Sequence, residues 1–539
     1  MSVFSIHDLR VRFGGIQAAK GVSFAVEAGK TLAIVGESGS GKSACLLGAT
    51  GLLPASATVE GSVLHRGQEI LGLPNKALRR IRGAEIGFVF QDPLSNLHPL
   101  KTIGEQIGEA IAVHKPVGRR QLRERVLALL DEVGIADPEA RLADYPRHLS
   151  GGMRQRVMIA IAIALDPGLI IADEPTTALD VTVQAAILDL LKRLQEEHGT
   201  ALVFVSHDLA VVSDIANDVV VMRDGLVVEK APAAEIYLRP RQPYTRELLG
   251  AARLGGPKVY AAGEGPKASR PLLAVNAVSR SFGSSRPVLD GVSFTIGQGE
   301  ILGLVGESGS GKTTIGRLVA GLDRPDAGHI SLDGREYSRP GSVGAVLQGD
   351  LRKSIQVIFQ DPYASLNPRR RIEAILSDPF VIHGAIDGAE LREKVKELVA
   401  DVELPQEILD RLPSQLSGGQ RQRVAIARAI ALRPSLIVAD EPVSALDITT
   451  QAKVIRLLAR LRDKLGVSFL FISHDLGVVG ELCDRVIVLE KGQIVENGRT
   501  RQVFESPTHD YTCRLLASIP GRSRLPADAK LEAASVSYG

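Results

Sequence analysis

Apolar residues in this chain fall into short unbroken runs separated by longer segments of helical period. TLAIVG (31–36), LIIAD (169–173) and ALVFVS (201–206) are aliphatic at nearly every position, as in strands of a parallel sheet covered on both faces. After Gly151 and Gly152, the residues Val157, Ile161 and Ala164 recur at helical spacing with Arg154 and Arg156 on other faces, which predicts a helix starting at the glycines. The pattern is therefore mixed α/β. The longest apolar run near a helix, 157–165, is far shorter than the roughly 18 residues a membrane span needs. The opening MSVFSIHDLR has an acidic residue at position 8 and no apolar segment, so no secretory signal is predicted.

The whole pattern occurs twice. GESGSGKS at Gly36 returns as GESGSGKT at Gly306, 270 positions later; GVSF recurs at 270, FQDP at 269, and LSGG, ADEP and SHDL each at 267. Constant order and spacing mark duplication of a complete domain, and exclude a solenoid, whose period is roughly 20 to 50 residues. The copies are predicted at 1–250 and 271–520. Between them, 251–270 is rich in Gly, Ala and Lys without an apolar period and is expected to be a flexible linker; 521–539 reads as a tail.

Composition narrows the classes. A length of 539 residues is too long for one core, and 45% hydrophobic with 23% charged residues is that of a globular protein. A formal charge of +2 argues against a broad basic surface for nucleic acid. Cys45, Cys483 and Cys513 are an odd number without CxxC spacing, so a disulfide framework, zinc ribbon or iron–sulfur site is not expected and a reducing compartment fits.

The repeated loops carry the chemistry. GxxxxGK[ST] after an apolar strand is a phosphate cradle, in which glycines let backbone N–H groups face phosphate oxygens at a helix N-terminus. The cradles are Gly36, Glu37, Ser38, Gly39, Ser40, Gly41, Lys42 and Ser43, then Gly306, Glu307, Ser308, Gly309, Ser310, Gly311, Lys312 and Thr313. Lys42 and Lys312 would reach the β- and γ-phosphates, and the Ser43 and Thr313 hydroxyls would ligate magnesium. Four aliphatic residues precede Asp173 and Asp440, which predicts a buried strand ending in a carboxylate beside the phosphate site, where it can hold the metal. Glu174 and Glu441 follow, as candidates to orient or deprotonate the attacking water. His207 and His474 each lie 34 residues beyond their aspartate, where a sensor of the γ-phosphate would sit. Taken singly, each feature has a bland reading: a glycine-rich turn, a surface carboxylate, a structural histidine. Recurrence at matched spacing argues against all three.

Together with the FQDP glutamine loops, the LSGG signatures and the ALD loops (178–180 and 445–447), these residues resemble the ATP-binding cassette ATPases over nearly all of the chain. The resemblance implies two tandem P-loop NTPase (RecA-like) nucleotide-binding domains, each with an antiparallel β subdomain and a helical signature subdomain. It also implies head-to-tail packing in which each ATP lies between one Walker loop and the opposite signature. The composite sites would be Lys42 with Ser417, Gly418 and Gly419, and Lys312 with Ser150, Gly151 and Gly152. A serine–glycine turn at a helix N-terminus suits a γ-phosphate. Gln91 and Gln360 would join the metal and water shell, and Phe13 and Phe282, 29 and 30 residues before the Walker lysines, would stack on adenine. With both glutamates intact, both sites are expected to hydrolyse ATP. Met153 replaces the residue matching Gln420, and little is expected from that change.

Within the family, VGESGSGK, FQDPxxSLNP, LSGGxRQRV and ADEPxxALD, with PYTRELL (243–249) and DYTCRLL (510–516), resemble the dipeptide, oligopeptide and nickel importer group in fused form. That implies two transmembrane permease subunits docking near Gln91 and Gln360, an extracytoplasmic solute-binding protein, ATP and Mg2+ as ligands, and a peripheral place on the cytoplasmic face of a bacterial inner membrane. A cysteine cluster of some relatives is missing, so no iron–sulfur site is carried over. The rival class, ribosome-associated tandem-cassette translation factors, usually has a long charged helical linker and an arginine with aromatics after SHD. Here the linker is short and LAVV and LGVV follow the histidines. No nucleic-acid partner is expected.

Overall fold

The computed structural model of the chain describes residues 2–177, 179–252, 271–283, 287–341, 349–384, 386, 388–444 and 446–519. The chain divides into two compact units that part after Ala252. The first contains β1 (Ser2–Phe13), β2 (Ile16–Glu27), β3 (Thr31–Val35), β4 (Ala57–His65), β5 (Gln68–Glu69), β6 (Ile86–Val89), β7 (Leu169–Asp173), β8 (Ala201–Ser206), β9 (Asp218–Arg223) and β10 (Leu226–Pro232). An antiparallel sheet has the order β2-β1-β4-β5, and a six-stranded sheet the order β10-β9-β3-β8-β7-β6. In the latter β6, β7, β8, β3 and β9 are parallel and β10 closes one edge antiparallel.

The second unit repeats this with β11 (Leu273–Arg280), β12 (Leu289–Ile296), β13 (Ile301–Val305), β14 (Ala327–Leu332), β15 (Arg335–Ser338), β16 (Ile355–Ile358), β17 (Leu436–Asp440), β18 (Ser468–Ile472), β19 (Arg485–Glu490) and β20 (Gln493–Arg499). Its sheets are β12-β11-β14-β15 and β16-β17-β18-β13-β19-β20.

The unbroken apolar run of β3 follows from burial on both faces. Leu32 and Ile34 enter a core shared with Phe4, Ile6, Leu9 and Leu46 of the antiparallel layer and the following helix. Ala33 and Val35 face the other way, toward Ile103, Ile107, Val157 and Phe204. Each buried aliphatic side chain contributes about 1.5–3 kcal/mol, which favours aliphatic residues on both faces of β3 from Leu32 to Val35. The helices Ile103–Ala112, Arg119–Glu132 and Gly151–Ile163 share this second core.

The helix Gly151–Ile163 begins at the glycines, as its period predicts, and is buried over most of its surface: Gln155, Val157, Met158, Ile159, Ala160, Ala162 and Ile163 are all buried, while Ile161 is half-buried and Ala164 is the C-cap. Arg154 and Arg156 are taken up by the Pro146 and Val133 carbonyls. The flexible linker does not begin at 251, because the helix Pro243–Ala252 runs through Ala251 and Ala252 with Leu248 and Leu249 buried. The rest of the expected linker, 253–270, and the tail, 521–539, lie outside the described residues. No helix among the described residues is long and apolar enough to cross a membrane.

Candidate functional site

In each unit the loop after the central strand turns sharply into a helix, Lys42–Ala49 or Lys312–Val319. The first and last glycines of each loop are required by crowding, whereas Gly39 and Gly309 have open space around a Cβ and sit at φ +83° and +80°. A Cβ on Gly36 would lie 2.1 Å from the Met222 carbonyl oxygen, and one on Gly41 (φ +96°) 2.1 Å from that of Ala18. The Gly225 N–H donates to the Ser40 carbonyl at 3.1 Å, and the Gly492 N–H to that of Ser310 at 3.0 Å, tying each loop to a neighbouring turn. Inside the loop the buried Lys42 Nζ donates to the carbonyls of Gly36 (2.7 Å) and Glu37 (2.9 Å). Lys312 does the same to Gly306 (2.7 Å) and Glu307 (2.8 Å).

The carboxylates at the ends of β7 and β17 converge on these loops. Ser43 Oγ donates to Asp173 Oδ1 at 3.0 Å. Asp440 pairs with Thr313, and its Oδ1 is buried without a hydrogen-bond partner among the described residues. A hydroxyl beside a carboxylate oxygen is the hard donor set that a divalent cation takes, so the residues fit the magnesium they are expected to hold. Burial raises the Asp173 pKa, helped by the charge of Glu174 and opposed by Ser43 and Lys42. Asp440 is pushed up to about 6 by burial and by Glu441, against Thr313 and Lys312.

The next residue behaves oppositely. Burial would raise Glu174, but His207, Lys42 and Thr177 outweigh it and hold the carboxyl below its usual range. Glu441 is likewise held low, by His474 and Lys312 against burial. Neighbouring carboxylates pushed apart in this way are suited to different roles. Both glutamates occupy left-handed backbone, φ +46° and +47°, a conformation that costs energy outside glycine. It is held because each donates its N–H across to the adjacent strand, Glu174 to Val205 (3.1 Å) and Glu441 to Ile472 (2.9 Å).

The structure brings the glutamine loop and the histidine onto these glutamates. Gln91 Nε2 donates to Glu174 Oε2 at 2.8 Å, His207 Nδ1 lies 3.4 Å from the same oxygen, and Lys42 Nζ lies 3.9 Å from Oε1. In the second unit Gln360 donates to Glu441 Oε2 at 2.8 Å and His474 Nδ1 lies 3.1 Å from Oε1. Burial would lower the His207 pKa, but the Glu174 carboxylate, with Asp208 behind it, raises it. Sequence reasoning missed Thr177, whose hydroxyl donates to Glu174 Oε2 at 3.0 Å; the matching Ser444 donates instead to the Glu441 backbone carbonyl at 3.1 Å. Only the folded turn reveals that difference.

The signature turns are gathered around other residues. Ser150 and Ser417 are exposed N-caps, accepting the N–H of Met153 (3.3 Å) and Gln420 (3.2 Å). The second glycine of each turn is sterically required: a Cβ on Gly152 would sit 2.5 Å from Val183, and one on Gly419 2.4 Å from Thr450. The first is not, since Cβ atoms on Gly151 and Gly418 would meet only Leu179 and Leu446 at 3.5 and 3.6 Å. Met153 matters more than expected from sequence. The Gln420 Oε1 accepts the Ser417 N–H (3.0 Å) and completes a capping box, which a methionine cannot do. Of the ALD loops, Ala178 and Ala445 lie outside the described residues.

The two candidate adenine aromatics differ. Phe13 ends β1 half-buried against the antiparallel-sheet core, whereas Phe282 is 54% exposed, with the Arg280 guanidinium carbon 4.8 Å from its ring centroid. Exposure favours a stacking role for Phe282 more than for Phe13.

A glycine-lined strand-to-helix turn holding a lysine, with a hydroxyl–aspartate pair and a glutamate beside it, defines a P-loop nucleoside triphosphatase. The particular family follows from comparison. The model described as "ABC transporter" matches residues 19–177 and 289–444, more than half of the chain, and the one described as "Oligopeptide/dipeptide transporter, C-terminal region" matches 495–533. The chain belongs to the ABC transporter family, as an ATP-binding, ATP-hydrolysing subunit with two cassettes. It is 40% identical to the oligopeptide transport ATP-binding protein OppD of Mycobacterium tuberculosis, over 96% of this chain and 98% of that one. It is 41% identical to the glutathione import ATP-binding protein GsiA of Escherichia coli (strain K12), over 96% and 90%. With the peptidoglycan transport ATP-binding protein YejF of Agrobacterium fabrum, identity is 42% over 96% of each. These comparisons support the transporter reading, not the translation-factor alternative.

Proposed function

We propose that the chain is the energy-coupling subunit of a bacterial importer for short peptides or related small solutes, hydrolysing ATP at two composite sites. The observation that carries the cargo class is the oligopeptide/dipeptide C-terminal match, together with end-to-end similarity to peptide and glutathione import subunits. In each site Lys42 or Lys312 binds the β- and γ-phosphates. Glu174 or Glu441, kept ionised, orients and deprotonates the attacking water, and the amide of Gln91 or Gln360 holds that carboxylate in place. His207 or His474 meets the γ-phosphate. Ser43, Asp173 and Gln91, and Thr313, Asp440 and Gln360, would hold Mg2+, which when bound neutralises phosphate charge. Ser417, Gly418 and Gly419 would complete the Lys42 site, and Ser150, Gly151 and Gly152 the Lys312 site. This is supported by their exposed serines at helix N-termini.

Two permease subunits would dock beside the glutamine loops, supported by the exposed apolar Leu94, Leu100, Phe359 and Tyr363 that accompany Gln91 and Gln360. A solute-binding protein would deliver cargo from outside, and the chain would sit peripherally on the inner face of the membrane without a nucleic-acid partner. The test is co-purification of the tagged chain from membranes, with uptake of labelled di- and tripeptides in a deletion strain. Recovery of two permeases and uptake restored only by the catalytically intact chain are expected; salt-sensitive recovery on ribosomes would refute the reading.

A further inference from the structure

We infer that Tyr244 and Tyr511, in the helices that close the two units, are positioning residues for the phosphate-binding lysines. The hydroxyl of Tyr244 accepts the N–H of Glu37, inside the phosphate loop, at 3.2 Å, and that of Tyr511 accepts the N–H of Glu307 at 2.9 Å. In each case the partners are more than 200 residues apart in sequence. The amide engaged is the one whose carbonyl end, Gly36 or Gly306, receives the lysine ammonium at 2.7 Å. A peptide group is planar and nearly rigid, so tilting its N–H tilts its C=O by the same angle. Tyrosine and lysine therefore hold opposite ends of one plate, and hydrogen bonds at both ends of an amide strengthen each other.

The tyrosines are themselves fixed. Tyr244 is 5% exposed, with the Arg223 guanidinium carbon 4.7 Å from its ring centroid, and Tyr511 is 3% exposed. The buried Thr245 hydroxyl donates to Glu229 Oε2 on β10 at 2.5 Å, and Glu229 also accepts the N–H groups of Arg241 (2.8 Å) and Gln242 (3.1 Å). In the second unit Glu496 on β20 accepts the N–H groups of Thr508 (2.9 Å) and His509 (3.3 Å). The C-terminal helix is thus clamped to the edge strand and extends a phenol into the nucleotide loop. When phosphate draws the lysine off the carbonyls, the tyrosine keeps the peptide from turning after it.

This inference rests on Lys42 and Lys312 being the phosphate ligands. In the full-length chain, Tyr244→Phe and Tyr511→Phe, singly and together, keep the ring and remove only the hydroxyl. ADP and ATP affinity, read by equilibrium binding, and KM for ATP should worsen about fivefold to tenfold per altered site, the scale of one buried hydrogen bond. AMP, which lacks the phosphates the lysine reaches, should bind unchanged, and the unfolding midpoint without nucleotide should fall by no more than about 4 °C, the scale of one hydrogen bond in a unit of this size. Tyr→Leu variants separate positioning from packing: if Phe behaves as wild type and only Leu fails, the tyrosines merely fill space and the inference is overturned. Equal weakening of ADP and AMP would overturn it as well. Each single variant leaves the other unit intact, so a folding defect in the double variant does not block the reading. Lys42→Ala with Lys312→Ala is the separate control; wild-type ADP affinity there would refute the lysine assignment itself.

Discussion

Replacing Gly418 by aspartate tests whether each nucleotide is shared between the two halves. A Cβ at this position would have only Leu446 Cδ2 within reach, at 3.6 Å, an ordinary contact. The substitution therefore adds no overpacking, and stability should stay within about 0.5 kcal/mol of wild type. The electrostatic effect is much larger. If the composite arrangement brings the aspartate carboxylate to about 5 Å from a γ-phosphate, at an effective dielectric constant near 20, it would cost roughly 3 kcal/mol per unit of phosphate charge. That corresponds to at least a hundredfold weaker binding. Under the composite arrangement the damaged nucleotide is the one held by Lys42, although Gly418 lies in the unit containing Lys312. Trapping an azido-ATP photolabel with vanadate, then cutting at a protease site introduced within 253–270, shows which half carries label. Label should disappear from the half containing Lys42 and persist in the other, with Gly151→Asp giving the mirror result. Loss of label from the half that bears the mutation would refute the shared-site reasoning.

Other consequences can be checked on the same purified chain. Glu174→Gln and Glu441→Gln should each lower steady-state turnover, by about a hundredfold or more when combined, with ATP still bound; unchanged ATPase in the double variant would remove both from the mechanism. Gly419→Ala should destabilise the second unit by about 1–3 kcal/mol through the clash with Thr450, whereas Gly418→Ala should be nearly neutral; thermal unfolding compares them. Met153→Gln should supply the missing half of the first capping box and raise stability by about 0.5–1 kcal/mol, read from a denaturant midpoint. Asp440, pushed up to about 6 from an ordinary 3.8, binds its proton more tightly in the folded chain. Its penalty is therefore absent below the unfolded value and develops as pH rises through about 4 to 6, reaching on the order of 3 kcal/mol by neutral pH. Asp440→Asn should stabilise the nucleotide- and magnesium-free chain at pH 7.5 but not at pH 4, and equal effects at both would refute the shift.

Much of the site was legible because its parts are local. GESGSGK codes a turn whose outer glycines are demanded by close packing and whose middle glycine takes a positive φ, and LIIAD codes a strand buried on both faces that delivers a carboxylate at its end. Recurrence of the same words at nearly constant spacing marked the duplication. Phe13 shows what local reading leaves out: the family resemblance implies an adenine platform there, and only the fold shows the ring partly buried against the antiparallel-sheet core. Arg154 and Arg156 read as lying off the apolar face, and the fold adds what sequence did not supply, the Pro146 and Val133 carbonyls that accept from them.

By itself, then, the amino-acid order determined the two cassettes, the strand and helix types, the phosphate loops and the identity of the acidic residues, because steric and burial constraints act over a few neighbouring positions. Tertiary structure decided which groups meet. The Gln91–Glu174–His207 cluster and the Tyr244 and Tyr511 hydroxyls on the phosphate loops join residues supplied by different strands and turns, and the packed strand ends also set the left-handed backbone at Glu174 and Glu441 and the turn that lays the Thr177 hydroxyl on Glu174. A hydrogen bond depends on distances of a few tenths of an ångström, and those distances exist only once the sheet has set its strand order and drawn the loop ends together.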